Sequence, residues 1–167
     1  MLYLLDTNVL IDANRDYYPL HRVPEFWDWL VYLGNKGLVK IPIEIYEEIS
    51  EGNDALAKWV KKEDVKSALL FQENVDEGLT SKVINDGYAS DLTDVELEKL
   101  GRDPFIIAYA LKKTSERCVV TTENSKPSRT RANRHIPDVC MVFGIQSCNT
   151  YEFIEVLNFS TNWETTI

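Results

Sequence analysis

The sequence has no apolar run long enough to span a bilayer. The longest, Phe105 to Leu111, falls far short of the roughly 20 residues a membrane helix requires. Only a few apolar residues precede Asp6 and no basic segment leads them, so no secretory signal is expected. Cysteine is scarce and odd in number. Cys118, Cys140 and Cys148 show no CxxC spacing, which argues against a disulfide framework or zinc site and for reduced thiols in the cytoplasm. His21 and His135 have no partner at ligand spacing. No repeat, low-complexity tract or linker interrupts the 167 residues, so one domain over 1–167 is expected. Positive charge is also short. Eighteen Lys and Arg against 27 Asp and Glu leave a net charge of −9. That counts against a nucleic-acid binder relying on Lys and Arg alone, because phosphate contacts usually come from an excess of those residues. Two readings of the acids remain. They partly form a divalent-metal cluster, the metal then supplying positive charge, or they simply keep the surface soluble.

What is present is an alternation of short apolar runs and helical patterns. Leu2 to Leu5 reads as a buried strand ending at Asp6, with a helix starting near Asn8. Pro24 opens a helix in which Phe26, Leu30 and Leu33 share a face, and Gly37 follows its end. Leu38 to Ile41 predicts a second strand, and Pro42 starts another helix that Gly52 closes. Asn53 to Lys62 continues helically, with further helical pieces around Thr80 to Ala89 and Thr93 to Leu100. Asp103 and Pro104 open an all-round apolar helix, expected to be buried between layers. Cys118 to Thr122 is β-prone, Asp138 to Phe143 a short helix, Ile145 to Cys148 a last strand and Tyr151 to Leu157 a last helix. Strands alternating with helices predict an α/β fold, a three-layer α/β/α sandwich with a central parallel sheet.

Ligands in such sheets sit outside the carboxyl ends of the strands, near the point where strand order reverses. Acids fall at those places. Asp6 ends the first strand, Glu123 follows the Cys118–Thr122 strand and Asp103 opens the buried helix. Glu48 follows Ile45 by three residues and can lie at the edge of that helix's buried face, whereas Glu44 and Glu47 are expected to be solvated. Gathered carboxylates repel, and a bound Mg²⁺ or Mn²⁺ relieves the repulsion. Such an ion polarises a phosphodiester, generates a hydroxide nucleophile and stabilises the leaving oxygen, without a catalytic Ser, Cys or His. Each acid also has an ordinary reading. Asp103 and Asp6 suit helix caps, and Glu48 and Glu123, taken singly, suit the surface.

Four segments, LLDTNVLID at 4–12, PIEIYEEIS at 42–50, RDPFIIAYAL at 102–111 and CVVTTEN at 118–124, together span most of the chain. In sequence and order they resemble the PIN-domain family, in particular PIN-like toxin ribonucleases of toxin–antitoxin pairs. The first and third are the more specific. The resemblance implies a parallel sheet flanked by helices, a carboxylate pocket holding one or two Mg²⁺ or Mn²⁺ ions, and RNA hydrolysis by a metal-activated water. Asp6, Glu48 and Asp103 would bind metal, and Glu123 would complete the pocket or help activate water. Thr7 and Asn8 would orient Asp6. The implied partners are an RNA substrate, an antitoxin protein and a second copy of the chain in a homodimer, with no membrane.

Two features depart from the common toxins. The segment IPDVCMVFGI at 136–145 resembles a particular PIN-like subgroup, and its Asp138 either replaces or supplements Glu123 at the metal or caps the short helix. The stretch KPSRTRANRH at 126–135 carries Lys126, Arg129, Arg131 and Arg134 without an acid. It is either a phosphate grip beside the anionic pocket or an exposed loop. The aromatics Tyr17, Tyr18, Phe26, Trp27, Trp29 and Tyr32 suit core packing or a dimer interface for the most part, and base stacking otherwise. A catalytically silent PIN-like module binding RNA or protein is the alternative to the enzyme. A phosphatase of the haloacid dehalogenase type fits less well, because Asn8 stands where that chemistry needs a second Asp.

Overall fold

The computed structural model describes residues 1–165. Strand β1, Leu2–Leu5, runs into helix α1, Thr7–Asp12, whose end widens into a π turn over Ala13–Tyr17. Helix α2 covers Pro24–Asn35, β2 Val39–Lys40, α3 Ile43–Ser50, α4 Ala55–Val60 and α5 Glu63–Leu69. Helix α6, Glu77–Lys82, continues into a second π turn at Val83–Tyr88, and α7 spans Asp94–Leu100. Helix α8 is Asp103–Leu111, β3 Arg117–Val120, α9 Ile136–Val142, β4 Gln146–Cys148 and α10 Thr150–Val156. The four strands form one all-parallel sheet in the order β2-β1-β3-β4, flanked by helices as a three-layer α/β/α sandwich. Among the described residues no helix is long and apolar enough to cross a membrane.

The chain places β2 on one side of β1 and then returns to add β3 and β4 on the other. The strand order therefore reverses between β1 and β3, where a crevice opens outside the carboxyl ends. In register Leu5 pairs with Val120, so both central strands end level and their next residues emerge side by side. β1 and β3 are almost wholly buried, which is why they read as continuous apolar runs instead of alternating ones. α8 is buried on nearly every side, as its uniform apolarity predicts. Phe26, Trp27 and Trp29 of α2 are core residues, and Phe26 stacks on Tyr18 at 4.5 Å between ring centres.

The opposite end of the sheet is closed by charge pairing. Buried Arg117 makes a two-pronged contact with Glu73 at 2.7 and 3.2 Å, and also donates to the Tyr109 carbonyl at 2.7 Å. Lys112 joins the same carboxylate at 3.0 Å. α2 and α5 approach closely at Gly34, where an added Cβ would stand 2.7 Å from the Ala68 carbonyl oxygen and from a Leu69 methyl. Replacing a helical glycine by alanine ordinarily gains up to about 1 kcal/mol, but overpacking against backbone costs about 1–3 kcal/mol and wins here. Gly34→Ala is expected to lower the urea midpoint, and an unchanged or raised midpoint would refute this account of the α2–α5 contact.

Candidate functional site

Asp6 leaves the end of β1 and is 3% exposed. Its carboxylate accepts a hydrogen bond from the Thr121 hydroxyl at 3.0 Å, just past the end of β3. Thr121 is fixed in turn, because its N–H bonds the Cys148 carbonyl of β4 at 3.1 Å. Glu123 lies two residues on. Its N–H donates to the Thr121 hydroxyl oxygen at 3.2 Å, and its carboxylate accepts the Ile136 N–H at the start of α9 at 2.7 Å. The longer reach of Glu over Asp at this position thus serves to span the gap to α9. Glu48, exposed on α3, is joined to the site through a hydrogen bond from the Thr7 hydroxyl.

Asp103 is not a helix cap. The cap position of α8 is Arg102, Asp103 is the first helical residue, and no side-chain cap bond is made. Among the described residues its carboxylate has neither hydrogen-bond nor ion-pair partner. It lines a cleft of about 300 Å³ together with Glu123, Lys99, Arg129, Arg134 and His135. Burial, then the charges of Asp6, Glu123 and Glu48, push its pKa from 3.8 up to about 8. Asp6 rises to about 6. Burial is the main cause, the Thr121 hydrogen bond opposes it, and the charges of Glu123 and Glu48 add to it. These couplings place Asp6 and Asp103 within each other's field and within that of Glu48 and Glu123.

Several expectations need correction. The Thr7 hydroxyl is spent on Glu48, so Thr7 meets Asp6 through its backbone N–H only and the side-chain donor to Asp6 is Thr121; Asn8 is exposed and makes no side-chain bond. Asp138 neither caps α9 nor joins the acids. Its two oxygens accept from the Ser125 hydroxyl at 2.5 Å and the Lys126 N–H at 2.8 Å, fixing the loop. Although its burial opposes this, those bonds hold its pKa below the ordinary value. Arg131 is paired with Glu96 and Asp91, both at 2.7 Å, and Arg134 donates to the carbonyls of Gly87 and Asp138. Both arginines therefore brace the loop, leaving Lys126 and Arg129 exposed and without a side-chain partner. Glu44, expected in solvent, is half-buried beside Tyr109, with one carboxylate oxygen shut off from water. Composition could not separate these cases, because the partners lie up to 115 residues away in sequence.

Sequence reasoning also missed Tyr88. Its hydroxyl is buried, has no partner and feels Asp103 and Glu123; burial and then their charge push its pKa up. Among the described residues no three His, Cys, Asp or Glu side chains stand together as a ready metal cage. The donor chemistry nevertheless suits a hard divalent cation. The acids offer only oxygens, one is unpartnered, and an orphaned hydroxyl adjoins them.

A carboxyl whose folded pKa exceeds its unfolded value holds its proton more tightly when folded. Its favourable contribution is complete below about pH 4 and is lost as pH rises through about 6 for Asp6 and about 8 for Asp103. Asp103→Asn is expected to melt a few degrees higher than wild type at pH 8.5–9 in EDTA, and close to it near pH 4. Parallel melting profiles across that range would contradict the strained-acid description.

A search of curated proteins finds no match. A family profile described as a domain of unknown function, DUF4411, matches residues 3–161. Nearly the whole described chain, including all four acids, lies inside that match, so the chain belongs to the DUF4411 family.

Proposed function

We propose that this protein is a PIN-like, metal-dependent endoribonuclease, acting in the cytoplasm as the toxin of a toxin–antitoxin pair and held in check by its antitoxin. The observation that carries the reading is the meeting of Asp6, Glu48, Asp103 and Glu123, from four distant segments, at the carboxyl ends of β1 and β3. An enzyme that cleaves phosphodiesters without Ser, Cys or His needs such a set, and the resemblance of the same four segments to PIN domains supports it. A bound Mg²⁺ or Mn²⁺ would supply positive charge to polarise the phosphodiester and lower the pKa of an attacking water.

The remaining work falls to side chains. Asp6 and Asp103 would bind the ion, Asp6 oriented by Thr121, while Glu48 is oriented by Thr7. Glu123, pinned by the Ile136 N–H through one oxygen, keeps its other oxygen to take a proton from water. Lys126 and Arg129 remain to meet phosphate, which lowers the expected number of basic contacts from four to two and makes the metal more necessary against a net charge of −9.

Asp6→Asn and Asp103→Asn remove charge at nearly constant volume and are expected to lower Mn²⁺-dependent cleavage of a mixed RNA pool at least about 100-fold while the protein stays folded. Thr121→Val removes the bond that holds the Asp6 pKa down, so its residual activity should fall away at a higher pH on the acid side than that of wild type. A folded, Mn²⁺-saturated Asp6→Asn protein cleaving at the wild-type rate would falsify the assignment.

A further inference from the structure

A second cleft opens at the two residues that flank Glu123 in the chain. It has a volume of about 270 Å³ and is lined by Tyr17, Tyr151, Asp12, Thr122, Asn124 and Thr150 among others. Thr122 and Asn124 flank Glu123 in the chain, so this cleft and the acid cluster share one loop. Its volume lies just under the roughly 300–1,000 Å³ typical of small-molecule sites, enough for one base and its sugar and too little for a duplex.

The tyrosines set this cleft apart from the aromatic core. Phe26, Trp27 and Trp29 are at most 2% exposed, whereas Tyr17 and Tyr151 are 48% and 59% exposed. Their rings meet edge to face, 5.7 Å apart at 71°, forming an exposed corner. Tyr17 is carried there by the π turn that prolongs α1, and Tyr151 by the first turn of α10. Polar groups surround the corner. The Thr150 hydroxyl is buried and bonded to nothing among the described residues. Asp12 uses one oxygen for Arg15 at 2.8 Å and keeps the other free, and the Asn124 side chain has no partner. An aromatic corner with unspent acceptors and donors matches a planar heterocycle that stacks and hydrogen-bonds along its edge. Lys126, free of any ion pair, stands two residues beyond Asn124 to meet the adjoining phosphate.

We propose that this cleft binds one unpaired base of single-stranded RNA against Tyr17 and Tyr151, with Asp12 accepting from an exocyclic amine where the base carries one. The proposal deepens the nuclease reading and rests on it for the identity of the polymer. A base seated there leaves its neighbouring phosphate on the Thr122–Asn124 loop, which sets the strand beside Glu123 and excludes paired RNA.

The test is fluorescence anisotropy of the whole protein with a dye-labelled oligouridylate in EDTA at fixed salt, where cleavage is suppressed. Stacking is worth about 1–3 kcal/mol per base, so Tyr151→Ala should weaken binding by about tenfold or more, while Tyr151→Phe stays within about twofold. An abasic oligomer of equal length keeps the charge but not the bases; it should bind weakly and ignore Tyr151→Ala. No oligouridylate binding, equal binding of the abasic oligomer, or a Tyr151→Ala protein that is folded and binds like wild type each overturns the base site. Binding that depends on Tyr151 in a protein showing no Mn²⁺-dependent cleavage would instead overturn the nuclease and keep the cleft as an RNA-binding site. Cleavage with affinity indifferent to Tyr151 would do the reverse.

Discussion

The hydrogen bond from Thr121 to Asp6 ties the site to the sheet. Asp6 is buried at the end of β1, where a carboxylate is costly unless something donates to it, and the donor comes from the residue that follows β3. That pairing is possible because Leu5 and Val120 are level in a parallel register, so both strands deliver their next residues to the same place. Thr121 then passes the constraint outward, to β4 through its N–H and to Glu123 through its hydroxyl oxygen. A slip of one residue between β1 and β3 would break all three links together.

The two ends of the sheet treat charge differently. Beneath it, Glu73 is met by Arg117 and Lys112, and those pairs bring its pKa down despite its partial burial. Above it, Asp6 and Asp103 feel each other and Glu48 and Glu123, and among the described residues none of the four has an ion-pair partner. Burial alone would not produce this contrast, since both ends enclose charged groups. The upper end has basic side chains at hand, Lys99, Arg129, Arg134 and His135 beside Asp103 and Glu123, but none of them pairs with either acid among the described residues, and the proposed divalent cation would. That imbalance links the fold to the proposed chemistry.

The strands, the principal helices and their order were legible because buried parallel strands and the all-apolar α8 leave unmistakable runs. Asp6, Asp103 and Glu123 were legible for a related reason: they stand at element ends, where period and chemistry change. Three things were not. The partners of the basic loop could not be read, because Arg131 finds Glu96 and Arg134 finds Gly87 only after the fold closes. Helix α5 and the π turns lie in stretches whose polar composition hides them. Tyr17 looked like any other aromatic near α2, and only exposure separates it from Phe26 and Trp27. Thr121 did leave a signal, a hydroxyl residue at the first position after an apolar strand, but one that capping or surface roles explain equally well.

The most direct test of the account is isothermal titration calorimetry of the protein with Mn²⁺ near pH 7 in two buffers of different ionisation enthalpy. With its pKa near 8, Asp103 carries a proton at that pH, and binding must displace it. Saturable binding should therefore release close to one proton per site, seen as a heat that changes with the buffer, and Asp103→Asn should abolish that release. No saturable binding, or a heat indifferent to buffer and to Asp103, would contradict the claim that these acids form a cation site.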